Sequence, residues 1–216
     1  MTTRIGYMGI PYSNSEEAAL KFAKSKRWNG VVFVPLMSSE GVVRALESGD
    51  IDFGVVASSN ITAGPVEETE TALAGKDDIE KVCTDSVPIH HCVFAKRVDA
   101  EIKAISSHIQ ALQQTRGNLD RLYPGTERVE VEDTAYAAEM LAAGDLPDTT
   151  AVVCRRNAGE NYDLVMLHEN IEDRSDNMTT FTLLRMKSDP CAQHASEYSV
   201  SSCPASRISR QTQGNR

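Results

Sequence analysis

No stretch of the sequence reaches the roughly 18 consecutive apolar residues of a membrane-spanning helix. Met1 is followed directly by the polar Thr2-Thr3-Arg4, with no apolar signal-peptide core. A helical anchor and a secretory signal are therefore not expected, and the expected location is the cytoplasm. The chain also lacks a C-x-x-C pair. Its five cysteines, Cys83, Cys92, Cys154, Cys191 and Cys203, form an odd set, and the first three fall in apolar, strand-like runs. They read as reduced, mostly buried thiols. Positive charge is short: 22 Lys and Arg stand against 31 Asp and Glu, for a net charge of −9. General nucleic-acid binding needs clustered cations against phosphates and is excluded, and no membrane partner is expected. A small anionic ligand stays open, because one site needs only local donors. Internal repeats are absent as well.

What is present is a chain of 216 residues with 41% hydrophobic content, enough for an ordinary packed core. Strand-like and helix-like patterns alternate. Arg4 to Met8 reads as a strand, Gly-Ile-Pro-Tyr-Ser-Asn as a turn, and Glu16 to Ala23 as an amphipathic helix. Gly30 to Leu36 repeats the strand, Ser38 to Glu47 the helix, opened by a Ser cap, and Phe53 to Ala57 the strand. The polar loop from Ser58 to Pro65 follows, with Pro65 suited to the first turn of a helix over Val66 to Leu73. Ile79 to Phe94 is extended, around Val87-Pro88. A second series comprises strands at Ile102 to Ser106, Glu127 to Val131, Thr150 to Cys154 and Leu164 to Leu167. Its helices lie at His108 to Leu122, Asp133 to Ala143 and Arg156 to Tyr162. Thr179 to Met186 returns as a strand toward the first series.

This order predicts an α/β fold of two lobes with mainly parallel sheets flanked by helices and a ligand cleft between them. The expected first lobe is residues 1–86 with 168–188, and the second is 87–167. Residues 189–216, rich in Ser, Gln, Asn and Arg, read as a disordered tail.

Several short strings, in order, resemble the catalytic domain of prephenate dehydratase over about residues 4–187. Arg4 to Gly9 with Ser15 and Ala18-Ala19 is similar to the family's G-P-x-G-x-x-S-x-x-A-A start. Gly54-Val55-Val56 through Asn60, Gly64, Val66 and Thr69 is similar to G-V-V-P-I-E-N-S-x-x-G-x-V-x-x-T. Ile89-His90-His91-Cys92 resembles I-x-H-C, and Ser107-His108-Ile109-Gln110-Ala111-Leu112 resembles S-H-P-Q-A-L. Thr134-Ala135 with Ala137-Ala138 matches S-T-A-x-A-A in part. Tyr162-Asp163-Leu164 and Glu169 to Asp173 resemble Y-G-L and E-N-I-x-D, and Asp176 to Phe181 resembles N-N-x-T-R-F. The resemblance implies two α/β lobes of the type II periplasmic-binding-protein kind, a homodimer, and no cofactor or metal. A phenylalanine-sensing ACT domain and a chorismate mutase are not expected here, since nothing after Lys187 reads as either.

The implied reaction converts prephenate to phenylpyruvate by joint loss of carbon dioxide and hydroxide, driven by aromatisation. Such an enzyme must orient the ring, hold two carboxylates and donate to the leaving oxygen. The resemblance assigns the donor to Thr179, whose hydroxyl can give a hydrogen bond. It implies substrate contacts from Ser13, Ser15, Asn60, Thr62, Ser107, His108, Asn177, Thr180 and Phe181. His108 opens a helix and can face an anion or simply cap.

Departures concentrate at these sites. Thr180 stands where the family has arginine, Ser59 where it has glutamate, Ile61 where it has serine, and Ile10-Pro11-Tyr12 where it has P-x-G. Arg155 and Arg156 are candidates to replace the lost cation. His90 and His91, adjacent on a strand, point to opposite faces and read as core histidines, not a metal pair. Three functions remain open: a prephenate dehydratase, a related lyase such as a non-aromatising prephenate decarboxylase, and a binding module without turnover.

Overall fold

The computed structural model describes residues 2–61 and 63–187. Thr62 and the tail from residue 188, including Cys191 and Cys203, lie outside the described residues. The chain opens with β1 (Thr3–Tyr7), α1 (Asn14–Ser25), β2 (Val31–Pro35), α2 (Ser39–Glu47) and β3 (Phe53–Asn60). It continues through β4 (Gly64–Pro65), α3 (Glu67–Leu73) and β5 (Ile79–Pro88). After the first crossing come β6 (Cys92–Ala95), β7 (Ala104–Ser107), α4 (Ile109–Gln114), α5 (Arg116–Leu122) and β8 (Glu127–Glu130). Then follow α6 (Thr134–Ala143), β9 (Thr150–Cys154), α7 (Arg156–Asn161) and β10 (Val165–His168), and β11 (Met178–Met186) returns to the first sheet.

The first sheet runs β2-β1-β3-β11-β5 with β4 on β3, and the second runs β10-β6-β9-β7-β8. Both are mixed. Strands joined through helices pair parallel, as β1 does with β2 and β3, and β7 with β8 and β9. The antiparallel pairs involve the short return strand β4 and the strands flanking the crossings, β11 with β3 and β5, and β6 with β9 and β10.

Each sheet is covered on both faces, and strand alternation assigns the faces. In β3, Val55 packs with Phe22 of α1 while Val56 packs with Val42 and Leu46 of α2. In β9, Val152 and Cys154 meet Ala138 and Leu141 of α6 while Ala151 and Val153 meet Leu112 and Leu119 of α4 and α5. Gly159 of α7 lies flat on Phe94, where an added Cβ would sit 2.5 Å from the ring. Cys92 and Cys154, opposite each other on β6 and β9, are buried free thiols, and Cys83 is half-buried. Burial pushes the thiols of Cys92 and Cys154 up from their ordinary value.

Local signals set the helix starts. Ser13 caps α1 by accepting from the Glu16 amide at 3.3 Å, Ser38 caps α2, and Asp133 caps α6. Other expectations yield to tertiary pairing. The expected loop after Ala57 is strand as far as Asn60, because β11 pairs with it, and Pro65 lies in β4 instead of the first turn of α3. The expected helix from His108 to Leu122 breaks at Thr115, whose φ of −117° and ψ of 5° leave the helical region and whose Oγ1 donates back to the Ala111 carbonyl at 2.7 Å. Strand β5 continues past residue 86 to Pro88, paired with Met178, and His168 belongs to the second sheet. A proline is tolerated there because β5 is an edge strand.

The crossings, residues 89–91 and 169–177, run side by side. The Ile89 amide donates to Asn177 O, and the Ile171 amide donates to His91 O, each at 2.9 Å. Glu172 clamps them, its Oε1 2.7 Å from His90 Nδ1 and its Oε2 accepting from the His91 amide at 3.1 Å. His90 is thus an exposed partner of a carboxylate, not a core residue. Burial alone would raise the Glu172 carboxyl, but the His90 contact, the His91 amide and its own amide together hold it below the usual carboxylate range. A carboxyl lowered by folding adds stability above its unfolded pKa and loses it as pH falls through the folded value. Glu172→Gln is therefore expected to cost about 1–3 kcal/mol at neutral pH. It is also expected to flatten the acid limb of a urea-denaturation series across the carboxylate range.

Candidate active site

Because β11 runs antiparallel to β3, its first residues meet the carboxyl end of that strand, and Thr179 pairs with Asn60. In the second lobe the carboxyl ends of β7 and β8 lead to His108 and Asp133, the caps of α4 and α6. These ends and the loop after β1 surround a cavity of about 550 Å³ lined by both lobes. Ser13, Ser15, Asn60, His108, Thr179 and Phe181 lie on its wall.

The polar floor of the site is a ring of amides. Asn60 Nδ2 donates to Thr179 Oγ1 at 2.8 Å, to Met178 O at 3.1 Å and to Asn177 Oδ1 at 3.2 Å. Asn177 Nδ2 donates to Gln114 Oε1 at 2.9 Å, and Gln114 Nε2 reaches Asn60 Oδ1 at 3.5 Å. Asn60 and Asn177 are buried at 7% and 3% exposure, so their partners substitute for water. With its oxygen accepting from Asn60, Thr179 keeps its own proton for an acceptor in the cavity.

Three expected contacts are corrected. Ser107 is fully buried and donates to Val153 O, knitting β7 to β9. Thr180 points away from the wall, as strand alternation requires beside Thr179, and its Oγ1 lies 3.0 Å from Ser86 Oγ. Arg155 turns toward α1, where Nη1 donates to Asn14 Oδ1 at 2.9 Å and Nη2 lies 3.6 Å from Glu17. Arg155 therefore ties the lobes together outside the cavity, and Arg156 pairs with Glu160 and Glu169. Asn177 is a member of the ring and lines a neighbouring cavity of about 270 Å³. Thr62 lies outside the described residues. His108 does cap α4, with Nδ1 accepting from the Gln110 amide at 3.3 Å.

Residues not assigned to the site from the sequence complete the wall: Gln114, Glu67, Glu68, Glu132, Asp133 and His91, the last expected only as a core histidine. Gln114 lies four residues beyond Gln110, which is also on the wall, a spacing that returns a side chain to the same helix face. Asp133 occupies the serine position of the S-T-A-x-A-A string and keeps the capping role, its Oδ1 accepting from Ala135 N at 2.7 Å. Burial raises its carboxyl above the ordinary value against the pull of the Ala135 and Tyr136 amides and of His108. Tyr12, at the position of the family glycine, retains a positive φ of 68° and stacks edgewise on Tyr162 at 6.1 Å, so its ring bridges the lobes.

Among the described residues, no helix is long and apolar enough to cross a membrane. A family model described as prephenate dehydratase matches residues 5–189. Arogenate dehydratase 5, chloroplastic, of Arabidopsis thaliana is 34% identical over 186 residues, covering 85% of this chain and 42% of that protein. The bifunctional chorismate mutase/prephenate dehydratase of Pseudomonas aeruginosa is 33% identical over 184 residues, 84% of this chain and 48% of that protein. The chain thus spans less than half the length of either relative. The crystal structure of prephenate dehydratase from Arthrobacter aurescens in complex with L-Phe matches with a TM-score of 0.75 at 24% identity, covering 87% of this chain and 61% of that one. With its two-lobed α/β fold and the family match over nearly all described residues, the chain belongs to the prephenate dehydratase family.

Proposed function

We propose that the chain is a lyase converting prephenate to phenylpyruvate, a step of phenylalanine biosynthesis, with Thr179 as the catalytic hydrogen-bond donor. The observation that carries this reading is the Thr179 hydroxyl on the cavity wall, its oxygen occupied by Asn60 Nδ2 at 2.8 Å and its proton available. In the reaction the ring carboxylate departs as carbon dioxide, and its C–C electron pair flows into the ring. The C–O bond to the allylic hydroxyl breaks, and one proton taken up turns the leaving hydroxide into water. A preorganised donor at that oxygen acts where charge develops, and the amide ring holds it without reorganisation. Phe181, buried on the wall, supplies an apolar surface for the substrate ring.

Incubation of the purified protein with prephenate tests this, followed by absorbance and mass of the product. Phenylpyruvate supports the reading. A dihydro-hydroxyphenylpyruvate marks a non-aromatising decarboxylase, and thermal stabilisation without turnover marks a binding module. The same proposal includes a homodimer working in the cytoplasm. The family resemblance supports the dimer, checked by light scattering, and the buried free thiols of Cys92 and Cys154 fit a reducing compartment.

A second reading is favoured by the charge of the wall. Glu67, Glu68, Glu132 and Asp133 line the cavity, and among the described residues no Lys or Arg does. Prephenate brings two carboxylates and no cation. Arogenate, the substrate in the name of the Arabidopsis relative, carries an ammonium in place of the keto oxygen and suits such a wall. If this reading holds, kcat/KM is higher for arogenate, and Asp133→Asn, which keeps a capping side chain, lowers that preference about tenfold, the size of one charge-assisted hydrogen bond. Equal loss on both substrates would sink it.

A further inference from the structure

We propose that His91 is a positioning residue at the head of a one-directional hydrogen-bond chain that ends at the Thr179 hydroxyl and strengthens it as a donor. The inference rests on the dehydratase reading above.

The direction of the chain follows from two backbone groups. The Ala63 amide donates to Asn60 Oδ1 at 3.2 Å and the Met178 carbonyl accepts from Asn60 Nδ2 at 3.1 Å, so the Asn60 amide has only one possible orientation. Its Nδ2 then faces Asn177 Oδ1, which turns Asn177 Nδ2 toward Gln114 and makes the Gln114 atom there Oε1. The same Oε1 lies 2.9 Å from His91 Nε2. An amide oxygen only accepts, so Nε2 carries the proton.

The other imidazole nitrogen agrees. His91 is 2% exposed and its Nδ1 is enclosed without a hydrogen-bond partner. A bare lone pair is tolerable there, whereas an added N–H would be a buried unpaired charge. Burial accordingly drives the imidazole toward its neutral form, against the Gln114 hydrogen bond and the charge of Glu172. His91 is thus a neutral Nε2–H donor locked in one tautomer.

From His91 the bonds run in one sense. His91 Nε2–H donates to Gln114 Oε1 at 2.9 Å, and Gln114 Nε2–H points to Asn60 Oδ1 at 3.5 Å. Asn60 Nδ2–H donates to Thr179 Oγ1 at 2.8 Å. A donor on each amide oxygen polarises that amide and makes its N–H a better donor to the next group. The Thr179 proton at the end of the series is therefore better disposed toward the leaving oxygen. Asn177 bridges Gln114 and Asn60 in the opposite sense and holds both amides in register.

The test compares His91→Phe, His91→Asn and His91→Gln. A glutamine amide reaches the place of Nε2 and an asparagine amide that of Nδ1. We expect kcat to fall about tenfold in the Phe and Asn variants with KM little changed, as for residues that support a reacting group from behind, and to be restored in the Gln variant. Adding His91→Phe to Thr179→Ala should cost nothing further. Full multiplication of the two losses, or equal activity of the Asn and Gln variants, overturns the chain. Nitrogen NMR of labelled imidazole and side-chain amides reads it without turnover: a protonated Nδ1, or Asn60 amide resonances unmoved by His91→Phe, overturns it equally. A wild-type protein that turns over neither prephenate nor arogenate defeats the dehydratase reading instead, and the spectra still decide the chain.

Discussion

Thr179→Ala is expected to lower turnover of prephenate by about 100- to 1,000-fold, the loss that follows removal of one preorganised donor at a site of developing charge. KM should change little, because the hydroxyl acts on an oxygen whose charge grows only as the C–O bond breaks. Thr179→Ser keeps the hydroxyl and should retain most of the rate. The fold tolerates either change: Thr179 is the second residue of β11, and Phe181 and Leu183 carry the packing. Product absorbance under saturating substrate measures the effect, with thermal unfolding as the control. An unchanged rate in Thr179→Ala would remove the donor from the mechanism and leave the cavity as a binding site only.

Asn60→Asp is expected to lose comparable activity and to lose stability too. The substitution keeps the shape of the side chain but replaces its N–H groups with an ionised oxygen. That oxygen then faces Thr179 Oγ1, Met178 O and Asn177 Oδ1, which now accept at 2.8, 3.1 and 3.2 Å. Each buried group left without a partner costs about 1–3 kcal/mol. Turnover should fall by about 100-fold or more, since Thr179 turns its proton toward the new carboxylate and away from the cavity. Urea denaturation and steady-state kinetics check the two effects. Wild-type stability with lost activity would confine Asn60 to the chemistry, and wild-type activity would show that the ring does not hold Thr179.

Much of this architecture was legible in the sequence because it is written locally. The cap Ser38, the helical spacing of Ala18, Ala19 and Phe22, and the apolar run of β9 each encode an element within a few residues. Misreadings arose where a partner far along the chain decides. Ser58 to Asn60 looks like a polar loop and becomes strand because β11 lies beside it. The helix after His108 is apolar enough to continue, yet the Thr115 hydroxyl competes for its backbone.

The site divides the same way. Thr179, Asn60 and His108 sit in strings similar to those of a known family, so the sequence named them. Thr180 was named by its place in a family string and Arg155 by its charge, but strand alternation turns one to Ser86 and the lobe contact draws the other to Asn14 and Glu17.

The sequence by itself determined the two series of strands and helices, the crossings that make two lobes, and the presence of a threonine hydroxyl at the start of the returning strand. Only the tertiary structure decided what that hydroxyl can do. The bond from Asn60 to Thr179 spans 119 positions and that from His91 to Gln114 spans 23, and neither has a periodicity or spacing that a sequence records. Hydrogen-bond direction depends on which lone pair faces which proton. Here it is set by the amide of Ala63 and the carbonyl of Met178, brought together only when β3 and β11 pair.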